Sequence, residues 1–145
     1  MMKRSLVVTA VSMFVLLCSA QYLRAQRPWY RGNVLEIIRQ LESDTDKFKS
    51  SLDKALDDSH LNGTRAEDEI NAFVKRFEEA TDRLRNNAED QQRAPRAARE
   101  VLNRGRSINR FVTSKRLGAG AEGDWARVKN DLDRLANAYY VRWRW

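Results

Sequence analysis

Four stretches of this chain place apolar residues at alternating steps of three and four, a spacing that only helices with one buried face satisfy. The first seam runs through Val34, Ile38, Leu41, Thr45, Phe48, Leu52 and Ala55, widened by Leu35 and Leu56. A second follows Ile70, Phe73, Val74, Phe77, Thr81, Leu84 and Ala88. The third is Ala98, Val101, Gly105, Ile108 and Val112, with Leu102 and Phe111 beside it. The fourth is Trp125, Val128, Leu132, Leu135 and Tyr139. No strand pattern appears before the C-terminal tail, and no repeat of solenoid type.

Punctuation between the seams sets the expected helices at about 33–60, 64–88, 95–117 and 124–140. Asn33 with Glu36, and Thr64 with Glu67, have the spacing of capping boxes. Asn62-Gly63 tolerates the left-handed backbone that ends helices. Pro95 suits a first turn, where a missing amide proton costs nothing. Gly118 is a natural stop, and a glycine-rich loop from Gly118 to Gly123 leads to Asp124, whose carboxylate can cap the last helix. Connections this short favour antiparallel neighbours, so the expected fold is all-α, an up-down-up-down antiparallel four-helix bundle spanning 33–141. Gly105, the one glycine in a seam, is expected to let Phe48 or Phe77 approach the third helix closely.

The N-terminus reads as a signal peptide. Lys3 and Arg4 precede an uncharged, mostly apolar run from Leu6 to Cys18, and the small residues Cys18-Ser19-Ala20 follow, so cleavage is expected after Ala20. The run is about 13 residues, short of the roughly 20 that cross a bilayer. Residues 21–32 then form an extended segment ahead of the bundle. All three methionines and the only cysteine lie within those first 20 residues. The exported chain, periplasmic or secreted, therefore has no disulfide and must be held by its core alone. About 120 residues are enough for that.

That loss also empties the chain of reactive groups. One histidine is left, His60, three residues after Asp57. A di-iron bundle needs two histidines and four glutamates pointing inward, and a haem bundle needs axial histidine or methionine in the core. No glycine-rich phosphate loop follows a strand, and one histidine near a helix end cannot build a catalytic triad. No enzyme activity, metal or cofactor is expected.

Charge is uneven. Residues 21–92 carry 12 basic and 15 acidic groups, whereas residues 93–145 carry 13 basic and 5 acidic. On the third helix Arg96, Arg99, Arg106 and Arg110, with Asn103 between them, recur at helical steps opposite the seam. Arg93, Arg104, Lys115 and Arg116 add to the stripe, and Glu100 is the only acid from Arg93 to Arg116. Guanidinium groups pair bidentately with carboxylates and phosphates, so the stripe is a candidate polyanion site; a solvated outer face is the plainer reading. Exported proteins rarely meet nucleic acid, which leaves an acidic protein surface, or an anionic lipid or glycan, as the expected partner. Self-association between the unequally charged halves is a third reading.

After the fourth seam, Tyr139-Tyr140-Val141-Arg142-Trp143-Arg144-Trp145 interleaves aromatic and basic residues. Trp143 and Trp145 are expected either to fold back with Trp29 and Tyr30 over the end of the core, or to anchor at a membrane headgroup region with Arg142 and Arg144. Asp124-Trp125, Val128, Asp131-Leu132, Leu135-Ala136, Ala138-Tyr139 and the closing Val141, Trp143 and Trp145 resemble the C-terminal segment of small exported bacterial proteins of uncharacterised function. A looser echo lies in Val101-Leu102, Ile108 and Arg110-Phe111. The resemblance spans about 20 residues and implies a bacterial source and an all-helical exported domain, with no activity attached. Where that pattern tends to have a polar residue after the tyrosine, this chain has Tyr140. The function expected is binding, through Arg96, Arg99, Arg106, Arg110, Arg142, Trp143, Arg144 and Trp145.

Overall fold

A computed structural model of the chain describes residues 27–145, with side chains from Asn33 onward; the expected signal peptide and the side chains of Trp29 and Tyr30 fall outside what is described. Four helices follow one another: α1 (Arg27–Asp57), α2 (Arg65–Asn87), α3 (Arg93–Lys115) and α4 (Ala119–Ala138). No strand occurs among the described residues. The helices pack as a bundle, in which α3 lies against both α2 and α4. Phe48 of α1 meets Trp125 of α4, and Lys49 of α1 pairs with Glu78 of α2 at 3.1 Å, which closes the ring.

The seams are the core. Ile38, Leu41, Phe48, Leu52, Ile70, Phe77, Leu84, Ile108, Leu132 and Leu135 are fully buried. Two threonines in the seams are buried at no hydrogen-bond cost, because Thr45 donates to the Leu41 carbonyl at 2.7 Å and Thr81 to that of Phe77 at 3.0 Å. Gly105 does permit a close approach, but chiefly of another residue than expected. A Cβ there would lie 2.7 Å from Leu132 Cδ1 and 3.7 Å from the Phe77 ring, with no contact to Phe48. Leu132 fills the space that any larger residue at 105 would need.

The helix ends differ from the expected ones, for local reasons. Because α1 is already helical at Arg27, Asn33 lies inside it and Glu36 pairs with Arg39 at 3.1 Å instead of closing a box. At α2 the Thr64 hydroxyl donates to the Leu61 carbonyl, and Glu67 accepts from the Gly63 amide, one residue earlier than a capping box requires. Gly63 has the left-handed φ of +70° anticipated for the stop. The start of α3 is held by Asp90, whose Oδ1 accepts from the Gln92 and Arg93 amides at 2.9 Å. α3 ends on Arg116 in the left-handed region, and Gly118 (φ +92°) opens α4. There is consequently no glycine-rich loop: Gly120 and Gly123 lie within α4, and Asp124 pairs with Arg127 one turn on.

Two carboxyls unmarked by the periodicity are buried between α1 and α4. Asp44 is 5% and Asp131 2% exposed. Burial acts to raise Asp44, yet hydrogen bonds from Lys47 and Gln40 hold it below the usual carboxylate range. Burial, and then the Asp44 charge, push Asp131 upward against the pull of Arg134 at 2.9 Å. Asp131 Oδ2 is buried with no donor facing it. The two carboxyls face each other closely enough for their titrations to be coupled.

Two outcomes follow from this packing. Gly105→Leu overfills the space held by Leu132 and is expected to cost about 1–3 kcal/mol; unfolding in urea at the wild-type midpoint would show that α3 does not present Gly105 inward. Because Asp131 is raised, its contribution to stability is full below the unfolded pKa and lost as pH rises through the folded one. The lowered Asp44, Glu100 and Asp90 act oppositely, losing their contribution as pH falls. Asp131→Asn should therefore be more stable than wild type near neutrality, by a margin that narrows as pH falls through the raised pKa of Asp131 towards the ordinary carboxylate value of about 3.9. A margin independent of pH would show that the two carboxyls are not coupled.

Candidate functional site: the α3 arginine face and the C-terminal tail

The tail is positioned by the way α4 ends. Tyr139 closes the helix, the Tyr140 amide donates to the Asn137 carbonyl at 3.1 Å, and the Val141 amide reaches back to Ala136 at 2.8 Å. This pair of bonds is a Schellman turn, which requires a left-handed residue, normally glycine, at the place held here by Tyr140 (φ +55°). The turn reverses the chain. Residues 141–145 then run back beside α3 and α4 instead of crossing the end of the bundle.

Arg106 of α3 seizes the returning chain twice. Its Nε and Nη2 donate to the Arg144 carbonyl at 3.1 and 2.8 Å, and its guanidinium lies 4.2 Å from the centre of the Trp143 ring. Trp145 goes further along. Its ring meets Trp143 at 5.1 Å and the buried Trp125 at 6.3 Å, its Nε1 donates to Asp133 at 3.0 Å, and Lys129 sits over its face at 5.0 Å. Trp125 itself donates to Asn109 Oδ1 of α3 at 3.0 Å and packs on Phe48 and Phe77. An aromatic chain thus leads from the core to the surface.

The arginines are exposed, and their neutralisation is uneven. Glu100 is spent on Arg83 of α2 at 2.7 Å and on Arg104 at 3.5 Å, which also holds its carboxyl below the usual range. Arg93 pairs with Asp90 at 3.4 Å. Among the described residues Arg96, Arg99, Arg110, Arg142 and Arg144 meet no carboxylate; Arg110 has only Ser107 at 3.5 Å. Arg99, Arg106 and Arg142 come together around one cleft of about 480 Å³, whose lining, with Asn103, Tyr140 and Trp143, contains no acid. Arg96 and Arg110 stand away from this cleft on the same helix. A second cleft of about 780 Å³ on the other side of the tail is lined by Arg106, Arg142 and Arg144, with Asp133 as its only acid.

Of the residues anticipated in the site, Arg99, Arg106, Arg142, Trp143, Arg144 and Trp145 are assembled by the fold. Tyr140, Asn103, Lys129 and Asp133 join them unanticipated. Tyr140 is 89% exposed, the most exposed large apolar residue described, and it lines both clefts. Its signal in the sequence was the departure from a polar residue at that place. Asp57 and His60 lie on the surface at and after the end of α1, and no group of three or more potential metal ligands clusters among the described residues. No described helix is long and apolar enough to cross a membrane. No family model matches the chain, and neither the curated proteins nor the solved structures yield a match.

Holding tyrosine in the left-handed region costs about 1–2 kcal/mol, part of which glycine returns by loosening the unfolded chain. Tyr140→Gly is accordingly expected to stabilise the domain by about 0.5–1 kcal/mol in urea unfolding. A loss of stability would mean that the Tyr140 ring, despite its exposure, holds the tail.

Proposed function

We propose that this protein is a non-enzymatic interaction module, exported to the periplasm or envelope of a bacterium, that binds a protein partner with an acidic surface through the α3 arginines and the tail. The observation that carries the reading is the cluster of Arg99, Arg106, Arg142 and Arg144 around acid-poor clefts, where Glu100 of α3 is committed to Arg83 and Arg104, and Asp133, the one acid in the lining, accepts from the Trp145 indole. Guanidinium groups without internal carboxylates are available to external ones, and a concentrated positive face accelerates encounter with an acidic surface. Export rests on Lys3, Arg4 and the apolar run to Cys18; a bacterial source rests on the likeness of the last helix and tail to small exported proteins. An up-down-up-down order belongs to the same proposal. It is supported by Glu42–Arg85 and Lys49–Glu78, which join earlier residues of α1 to later ones of α2.

A second reading, attachment to an anionic envelope lipid or glycan, draws on Tyr140 (89% exposed) and Trp145 (41%) standing beside Arg142 and Arg144. Tryptophan, tyrosine and arginine together favour the headgroup region.

Retention of the purified protein on immobilised poly-glutamate, on heparin and on anionic vesicles, across a salt series, separates the readings. Arg99→Gln, Arg142→Gln and Arg144→Gln together leave Arg106 to hold the tail. Wild type is expected to be retained on poly-glutamate, to elute as salt shortens electrostatic reach below about 8 Å, and to lose retention in the triple variant. Retention unchanged in that variant contradicts the proposal. Strong vesicle binding that disappears in Tyr140→Ala with Trp145→Ala, with none on poly-glutamate, favours the lipid reading.

A further inference from the structure

We propose that the tail, residues 141–145, is an exposed strand edge that pairs main chain to main chain with an extended acidic segment of the partner, whose carboxylates recur at every second residue. The inference rests on the acidic-partner reading above and specifies how that partner is gripped.

Three observations lead to it. First, the tail has the period of a strand. Val141 and Trp143 are half-buried while Arg142 and Arg144 are exposed. Trp143 and Trp145, two residues apart, touch ring to ring at 5.1 Å. Side chains two apart share a face only in extended backbone. Trp143 faces Arg106 and Trp145 faces Trp125, so that face is the inner one and the arginines stand on the outer.

Second, the tail's main chain is almost unused. Among the described residues its bonds are Val141 N–H to Ala136 and the Arg144 carbonyl to Arg106. Alternate residues of a strand address opposite edges, so Arg106 occupies the edge carrying Arg142 and Arg144. The edge formed by the Val141 carbonyl, both main-chain groups of Trp143 and the Trp145 amide is left unpaired. Such an edge is a template for strand addition. Open space lies beside the tail on its α4 side, the cleft of about 780 Å³, whose one acid, Asp133, accepts from the Trp145 indole, and a neighbouring strand needs only about 4.8 Å between chains.

Third, the charges select what is added. Residues opposite each other in a sheet share a face, so an added strand places its own alternate side chains against Arg142 and Arg144. A second copy of this tail would bring arginine against arginine, which is repulsive. An acidic strand brings carboxylates to arginines that have none.

Calorimetric titration of the exported protein with an acetylated, amidated peptide alternating glutamate and threonine tests the inference, alongside two isomers N-methylated at every glutamate or at every threonine. The isomers carry the same charge and the same methyl count, but each blocks a different edge. The parent peptide is expected to bind. One isomer should bind within about threefold of it, and the other at least about tenfold more weakly, the scale of one lost main-chain hydrogen bond. Arg142→Gln with Arg144→Gln should weaken the parent about tenfold. Isomers that bind alike overturn strand pairing and leave the acidic-partner reading intact, as does equal binding of a peptide with its glutamates gathered in one block. Failure of every peptide and of poly-glutamate overturns both.

Discussion

Trp125 touches every layer of this structure at once. Its ring packs on Phe48 of α1 and Phe77 of α2, its Nε1 donates to Asn109 of α3, and its edge receives Trp145 of the tail. A chain with no cysteine beyond residue 18 has no covalent staple to fall back on. Removing a buried tryptophan from a core typically costs about 3–5 kcal/mol, a large share of the 5–15 kcal/mol or so that a domain of this size has in hand. The same contact serves the surface, because Trp145 is seated where Trp125 comes to the end of its burial. Core packing and the placement of the tail are one interaction.

Arg106 completes that link from the other side. A guanidinium that stacks on Trp143 while donating to the Arg144 carbonyl fixes both ring and main chain, and it spends donors that an external anion would otherwise take. Arg106 therefore positions the tail, and Arg99, Arg142 and Arg144 are left exposed beside it without a carboxylate among the described residues. The surface pairs Lys49–Glu78, Glu42–Arg85 and Arg83–Glu100 join neighbouring helices, but pairs of such exposure contribute roughly 0–1 kcal/mol each. Of these, Arg83–Glu100 bears on the arginine face, because it engages the one acid between Arg93 and Arg116.

The four helices and their buried faces were legible because burial has a period, and Ile38, Phe48, Phe77, Ile108 and Leu132 all obey it. Helix ends were less so, since competing local bonds decide them: Thr64 gave its hydroxyl to Leu61, and Gly118 to Gly123, which composition marks as a loop, mostly continue a helix. Asp44 and Asp131 were invisible to a reading that places charges outside, because their burial depends on each other across two helices. The arginine face was readable along α3. Its junction with the tail was not, because nothing in the spacing of Arg106 announces a partner 38 residues away. Tyr140 shows the limit most plainly, a residue whose backbone is dictated by a turn that favours glycine.

On the reading proposed above, a partner lands on the α3–tail surface and not on the acidic half of the bundle. Nuclear magnetic resonance of the indole and guanidinium groups during titration with poly-glutamate tests it most directly. The Trp143 and Trp145 indoles and the Arg99, Arg142 and Arg144 side chains are expected to shift together, while the buried Trp125 indole stays with Asn109. Shifts spread evenly over the lysines and arginines of α1 and α2, with Trp143 and Trp145 unmoved, would contradict it.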